Sequence, residues 1–156
     1  GNRLPVLWRD PHSVPPGELK AVIASLEKAC VENPASADLR TCLGMAHAMN
    51  FDAYRSMDAL EEACTLEPAN FMAQFKYAEL HYRLRALDVA EPETQKALAL
   101  AGSQWELAMA RHQLSEIRRL RREGTQKPTW TKSLTLPVVA LGSMMAVLFY
   151  AFAALK

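Results

Sequence analysis

From Glu18 to Arg122 apolar residues return at intervals of three and four, as in Leu39, Leu43 and Ala46 and again in Leu60, Ala63 and Cys64. That spacing sets them on one face of an α-helix and predicts a succession of amphipathic helices. Strand-type runs of Val, Ile, Thr and aromatic residues are too few to make a sheet, so the expected fold is all-α. Breakers punctuate the pattern. Pro15-Pro16-Gly17 precedes a predicted helix over Glu18–Glu32, Pro34 and Pro68 end later segments, and a long closing helix is expected over Gln104–Arg122. Residues 1–17 carry Pro5, Pro11, Pro15 and Pro16 beside Leu4, Val6, Leu7 and Trp8, which predicts a Pro-rich arm that cannot be a regular helix. Such an arm, with Trp8 buried, either docks into its own groove as an autoinhibitory plug or onto a partner, or else is a loosely ordered leader.

The helical pattern also repeats. Leu26-Glu27-Lys28-Ala29-Cys30, with Pro34-Ala35 behind it, aligns with Leu60-Glu61-Glu62-Ala63-Cys64 and Pro68-Ala69 at an offset of 34 residues. His47 and His81 are separated by the same 34, and Lys96-Ala97 and Gly102 continue the series. A fixed period of this length signals stacked units of two helices each. Leu43-Gly44, His47, Leu60, Ala63 and Pro68 mark the unit Ala37–Asn70, and Tyr77-Ala78, His81, Ala90, Ala97 and Gly102 mark the unit Phe71–Gln104. In these residues the chain resembles the tetratricopeptide repeat (TPR) superfamily. The family's aromatic slot falls on Arg40 and Gln74, its helix-B Ala is Ser56 in the first unit, and its Tyr is His in both. Pro92 stands where the second helix of the second unit should already be running, which predicts a shortened or late-starting helix with Pro92 in its first turn. The resemblance implies a short α-solenoid of about two full repeats over residues 18–122, with flanking helices as caps. Gly44, Ala63, Ala78 and Ala97 would let its helices approach closely.

Residues 134–155 depart from amphipathicity altogether. All 22 are uncharged, and only Thr135, Pro137, Gly142 and Ser143 lie outside the apolar set. As a helix they would be about 33 Å long, against a hydrocarbon core of about 30 Å, which predicts a single transmembrane helix over 133–156. Charge reinforces the expectation. The net charge is +1, yet ten Lys and Arg face fifteen Asp and Glu in residues 1–110, whereas seven face two in residues 111–132. Arg118, Arg119, Arg121 and Arg122, with Trp130 and Lys132, are therefore expected at the membrane interface, joined to the span by a basic linker over 123–132. The bias places the helical domain in the cytoplasm and the C-terminus on the opposite side, a single-pass, tail-anchored arrangement. The basic block has no interleaved aromatics and no groove-entering motif, so nucleic acid is not an expected partner.

Chemistry is sparse. Cys30, Cys42 and Cys64 form an odd set without CxxC spacing and read as buried thiols of a reducing compartment. His47 and His81 fit satisfied core histidines better than a metal pair. No phosphate loop, HExxH or GxSxG is present, so no catalytic residue, metal or cofactor is expected.

The TPR resemblance implies ligand binding on a concave face lined by the first helix of each unit: here Asp38, Thr41, Met45, Ala48 and Met49, then Met72, Phe75, Glu79, Tyr82 and Arg83. Family members that clamp a chaperone's C-terminal carboxylate use Lys and Asn there, which Thr41, Met45 and Phe75 do not supply. An amphipathic helix or an extended apolar peptide is the expected guest. The closing helix either leaves this groove open or covers part of it. Two functions follow: a membrane-anchored scaffold or adaptor that recruits a protein through the groove, or an accessory subunit of a larger membrane complex, held by its span. Oligomeric state is undetermined by the sequence.

Overall fold

The computed structural model describes residues 6–125. They form 3₁₀ turns at Val6–Trp8 and Pro11–Ser13, then six helices: α1 (Pro16–Glu32), α2 (Ala37–Met49), α3 (Ala53–Leu66), α4 (Phe71–Arg83), α5 (Leu87–Leu100) and α6 (Gln104–Thr125). Among the described residues there is no strand, and no helix is long and apolar enough to cross a membrane. The predicted span 133–156, Trp130, Lys132 and the ring of Trp8 lie outside the described residues and side chains. The chain divides into two compact units, residues 1–121 and 122–156, and the packing below is that of the first.

Local chemistry sets the helix boundaries. Ser36 Oγ accepts the Leu39 N–H at 3.3 Å, and Asn70 Oδ1, one period later, accepts the Ala73 N–H at 3.0 Å. Each side chain satisfies a donor that the first helical turn leaves unpaired. At α6 Ser103 and Glu106 make a reciprocal pair: Ser103 Oγ accepts from the Glu106 N–H, while Glu106 Oε2 accepts from the N–H groups of Gly102 and Ser103. The turns from α2 to α3 and from α4 to α5 share one solution. Phe51 and Arg85, 34 residues apart, adopt left-handed backbone with φ of 59° and 63°. The N–H groups of Phe51 and Asp52 return to the carbonyls of Ala48 and His47, and those of Arg85 and Ala86 to Tyr82 and His81. This is the double bond of a helix C-terminus usually closed by glycine.

Three boundaries differ from expectation. α1 begins at Pro16, because a proline at the first helical position lacks only an N–H that would have no partner there. α5 neither shortens nor starts late: it runs from Leu87 with Pro92 inside it. The missing Pro92 N–H frees one carbonyl near the exposed start of the helix, where both Asp88 and Pro92 face solvent. α6 continues through Thr125, so the first residues of the expected linker are helical.

Helices α2 and α3 form one antiparallel hairpin and α4 and α5 the next, with α1 on α2, α3 on α4, and α2 beside α4. Seven alanines (46, 63, 73, 78, 90, 97 and 110) are fully buried and keep the helix axes close. Gly44 marks the tightest approach: a Cβ there would stand 2.6 Å from Leu60 Cγ. Its carbonyl accepts the buried Ser56 hydroxyl at 2.7 Å, so the family's helix-B Ala slot is filled here by a hydroxyl that bonds across the hairpin. Arg40 and Gln74 replace the family aromatic with polar contacts across each hairpin, Arg40 to Glu62 at 3.0 Å and Gln74 to Glu93 at 2.7 Å. Helix α6 joins α5 through Gln113, which donates to Thr94 Oγ1 at 3.0 Å, and through Ala110, clustered with Ala97, Phe71 and Phe75.

Candidate functional site

Helices α2, α4 and α6 start one period apart and turn equivalent positions to a shared surface. Phe75, Glu79 and Tyr82 of α4 have their counterparts 34 residues later in Met109, Gln113 and Glu116 of α6. All six line one recess between α4 and α6, together with Lys76 and His112. A second recess lies between α2 and α4, walled by Met45, Ala48 and Met49 and by Lys76, Glu79, Leu80 and Arg83, and roofed by Leu7, Arg9 and Pro11 of the N-terminal arm. Lys76 and Glu79 border both, so the two recesses are adjoining halves of one groove.

The residues named from the sequence separate by burial. Met45, Ala48, Glu79 and Tyr82 are half-buried on this surface and Arg83 is exposed, whereas Met72 lines neither recess and packs half-buried on the Phe71–Phe75 cluster. Asp38 is exposed and accepts the Asn70 side-chain amide at 2.9 Å. Thr41, Met49 and Phe75 are buried. The Thr41 hydroxyl donates to the Ala37 carbonyl at 2.8 Å and has no hydrogen left for a guest. Phe75 stacks on Phe71 at 5.6 Å between ring centres and packs with Ala97, Ala110 and Met109, forming the floor of the α4–α6 recess. The closing helix is thus a wall of the groove as well as an end cap. Repetition of the 34-residue period into α6 is the signal that identifies its lining residues.

Charge in the groove is concentrated, with two cations of α4 sharing one carboxylate. Glu79 receives Lys76 Nζ at 2.7 Å on one oxygen and the Arg83 guanidinium at 2.7 Å on the other. Burial pushes its carboxyl up, but the charges and hydrogen bonds of Lys76 and Arg83 outweigh that and hold it below its ordinary 4.5. Lys76 also lies 5.7 Å from the centre of the Phe75 ring. A trio of this kind is held in place at the junction of the two halves and presents no net excess of acid.

The other candidate chemistry is structural. His47 is buried with Nδ1 unpartnered, and His81, edge-on to Tyr77 at 4.7 Å, has Nε2 unpartnered, so neither histidine is fully satisfied as expected. Burial pushes His81 below its ordinary value, favouring the neutral ring. Among the described residues no three of His, Cys, Asp and Glu gather as a metal site. All three cysteines are free thiols, and burial pushes Cys64 up to about 11, away from a reactive thiolate.

Arg118, Arg119 and Arg121, expected at the membrane interface, have partners within the described fold. Arg118 Nε lies 2.9 Å from Glu91, Arg121 bridges Glu91 at 2.5 Å and also Asp88, and Arg119 pairs with Glu116 at 2.6 Å. Arg122 lies in the same helix.

No protein-family model and no curated protein matches the chain. Solved structures do. The first TPR domain of Spaghetti (RPAP3), bound to the HSP90 peptide SRMEEVD, superposes with a TM-score of 0.61 at 18% identity, covering 68% of this chain and 82% of that one. The TPR domain of Sgt2 from Aspergillus fumigatus gives 0.63 at 15% identity, over 71% and 73%. The Yersinia enterocolitica type III secretion chaperone SycD, in complex with a peptide of the translocator YopD, gives 0.61 at 16%, over 67% and 83%. At these identities the likeness establishes the fold, an all-α TPR-like helical repeat.

Proposed function

We propose that this chain is a non-enzymatic scaffold that takes an extended apolar segment, or the apolar face of a helix, from a partner protein into its concave groove, and that residues 133–156 hold it in a lipid bilayer with the helical domain on the cytoplasmic side. The observation that carries the reading is the recess between α4 and α6, floored by Phe75 and Met109 and walled by Tyr82. Beside these three it presents Lys76, Glu79, His112, Gln113 and Glu116, so a guest would meet apolar contacts rimmed by polar groups that fix its orientation. Met45 and Met109 add flexible, polarisable contacts that adapt to varied side chains. The bilayer placement is supported by the 22-residue uncharged run and the basic bias ahead of it.

The test compares the full chain, purified in mild detergent, with a chain ending at Lys132, and identifies co-purifying proteins by mass spectrometry. Partners held by both forms and lost from Tyr82→Glu support the groove. Partners that need residues 133–156 instead assign the binding to the span, as in an accessory subunit of a membrane complex. Alkaline carbonate extraction tests the anchor: release of the full chain into the supernatant would refute membrane spanning.

A further inference from the structure

The concave groove already contains a guest. The arm leaves α1 at Pro15 and crosses to the α2–α4 half of the groove, where Leu7, Arg9 and Pro11 face Met45, Met49 and Glu79 across the recess. Val6 and Leu7 are half-buried against the cluster that includes Leu43, Ala46 and Met49. We propose that Val6–Ser13 is a displaceable intramolecular occupant of the α2–α4 half-groove, and that a partner segment long enough to fill both halves must first evict it. The proposal rests on the groove-binding function above and adds its regulation.

Three features distinguish a displaceable occupant from a fixed part of the core. The fit is loose: a cavity of about 90 Å³ remains between the arm and the helices, unlike the close packing of the interior. The fastening lies at the surface: Arg9 pairs with the exposed Glu18 at 3.0 Å, and the exposed His12 ring meets the exposed Phe51 ring at 5.7 Å between centres. Its root, however, is firm. Val14 is buried with Leu19 and Ile23 of α1, so an evicted arm stays tethered beside the groove. Tethering gives it an effective concentration on the order of millimolar, which a free partner must overcome. The seat holds an aliphatic residue beside a cation, and the open half next to it shares Lys76 and Glu79 as its border. A partner can therefore engage the α4–α6 half first and displace the arm from its edge.

The probe is a dye-labelled peptide copying Val6–Ser13, titrated against the full chain in mild detergent and followed by fluorescence anisotropy. The parent is compared with Leu7→Asp, which puts a charge on the arm's apolar contact and leaves all six helices unaltered. The released chain should bind the peptide at least about tenfold more tightly than the parent, the ratio expected if the arm is seated about nine-tenths of the time. Adding Met45→Glu should abolish that binding. Equal binding by parent and Leu7→Asp, binding by neither, or binding that survives Met45→Glu would each overturn the proposal. Circular dichroism confirms that each variant is folded, and Arg9→Ala serves as a second release variant should Leu7→Asp misfold. Failure of the groove function has a different signature: no partner co-purifies with either chain, yet the peptide still binds the released groove.

Discussion

Replacing Gly44 by alanine would ordinarily strengthen a helix, by about 1 kcal/mol in an interior position. Here the added Cβ would lie 2.6 Å and 2.9 Å from Leu60 Cγ and Cδ2 and 3.2 Å from the Ser56 carbonyl oxygen. Leu60 is 1% exposed, so relief requires its side chain to turn toward the α2–α4 recess that it lines or the two helices to part. Overpacking of this kind costs about 1–3 kcal/mol. If α2 and α3 separate to relieve it, the Ser56 hydroxyl, fully buried and bonded to the Gly44 carbonyl, loses its acceptor at a further cost of about 1–3 kcal/mol. After the propensity gain the net loss is about 1–4 kcal/mol, a fall in melting temperature of roughly 4–8 °C per kcal/mol for a domain of this size. Urea and thermal unfolding followed by circular dichroism at 222 nm, on parent and Gly44→Ala, measures it. The second hairpin supplies a control, because Ala78, Ala90 and Thr94 stand 34 residues after Gly44, Ser56 and Leu60 and combine the larger residue on α4 with smaller ones on α5. Leu60→Val should accordingly recover part of the loss, with a coupling of about 1 kcal/mol in the double-mutant cycle. A Gly44→Ala chain more stable than the parent by the helix-propensity increment would refute the close approach of α2 and α3.

Arg85→Gly should raise the unfolding free energy by about 0.5–1 kcal/mol, read as a higher urea midpoint, because relief of the left-handed backbone exceeds glycine's entropic cost, while Arg85→Val should lower it. The Glu79 carboxyl is held below 4.5 in the fold, so its contribution is fully present above that pH and is lost as the pH falls below it. Glu79→Gln should flatten the acid limb of the stability–pH curve, measured by denaturant unfolding; an unchanged acid limb would refute the charge trio. Glu91→Gln removes an ion-pair partner of both Arg118 and Arg121, and should speed amide exchange in the second half of α6 by about 2–5-fold, leaving α2 and α3 unchanged.

The helices, their pairing and their period were legible in the sequence because each depends on local composition: apolar spacing, Pro34 and Pro68 between units, and small residues at fixed offsets. Helix ends were less so. Proline has opposite meanings at the first helical position and deeper in, which is why Pro16 opens α1 and Pro92 sits within α5. The groove was legible as a set of helix-A positions. Its division by burial was not, since the depth of Thr41 and Phe75 depends on neighbours far along the chain. The α6 wall was encoded by the same offset that relates the first two units, but a long basic helix at the end of the pattern reads as a cap. The arm followed no period, so only the fold could place Leu7 and Arg9 over Met45 and Glu79. Likewise, nothing in a run of arginines indicates that Asp88 and Glu91, about thirty residues earlier, will neutralise two of them.

The order in which the helices pack has a kinetic consequence. Apart from the contacts of α2 with α4 and of α4 with α6, helices meet partners adjacent in the chain, so few long loops must close before native contacts are rewarded. Chains of that kind cross a low entropic barrier and fold quickly. Either hairpin can nucleate and pass order to its neighbour along the stack, and unravelling can begin at an end without dissolving the middle. A newly made chain would thus have its first hairpin ordered while later helices are still being synthesised. Misfolding through mispaired distant segments, the hazard of slow sheet proteins, has little opportunity to arise in these six helices.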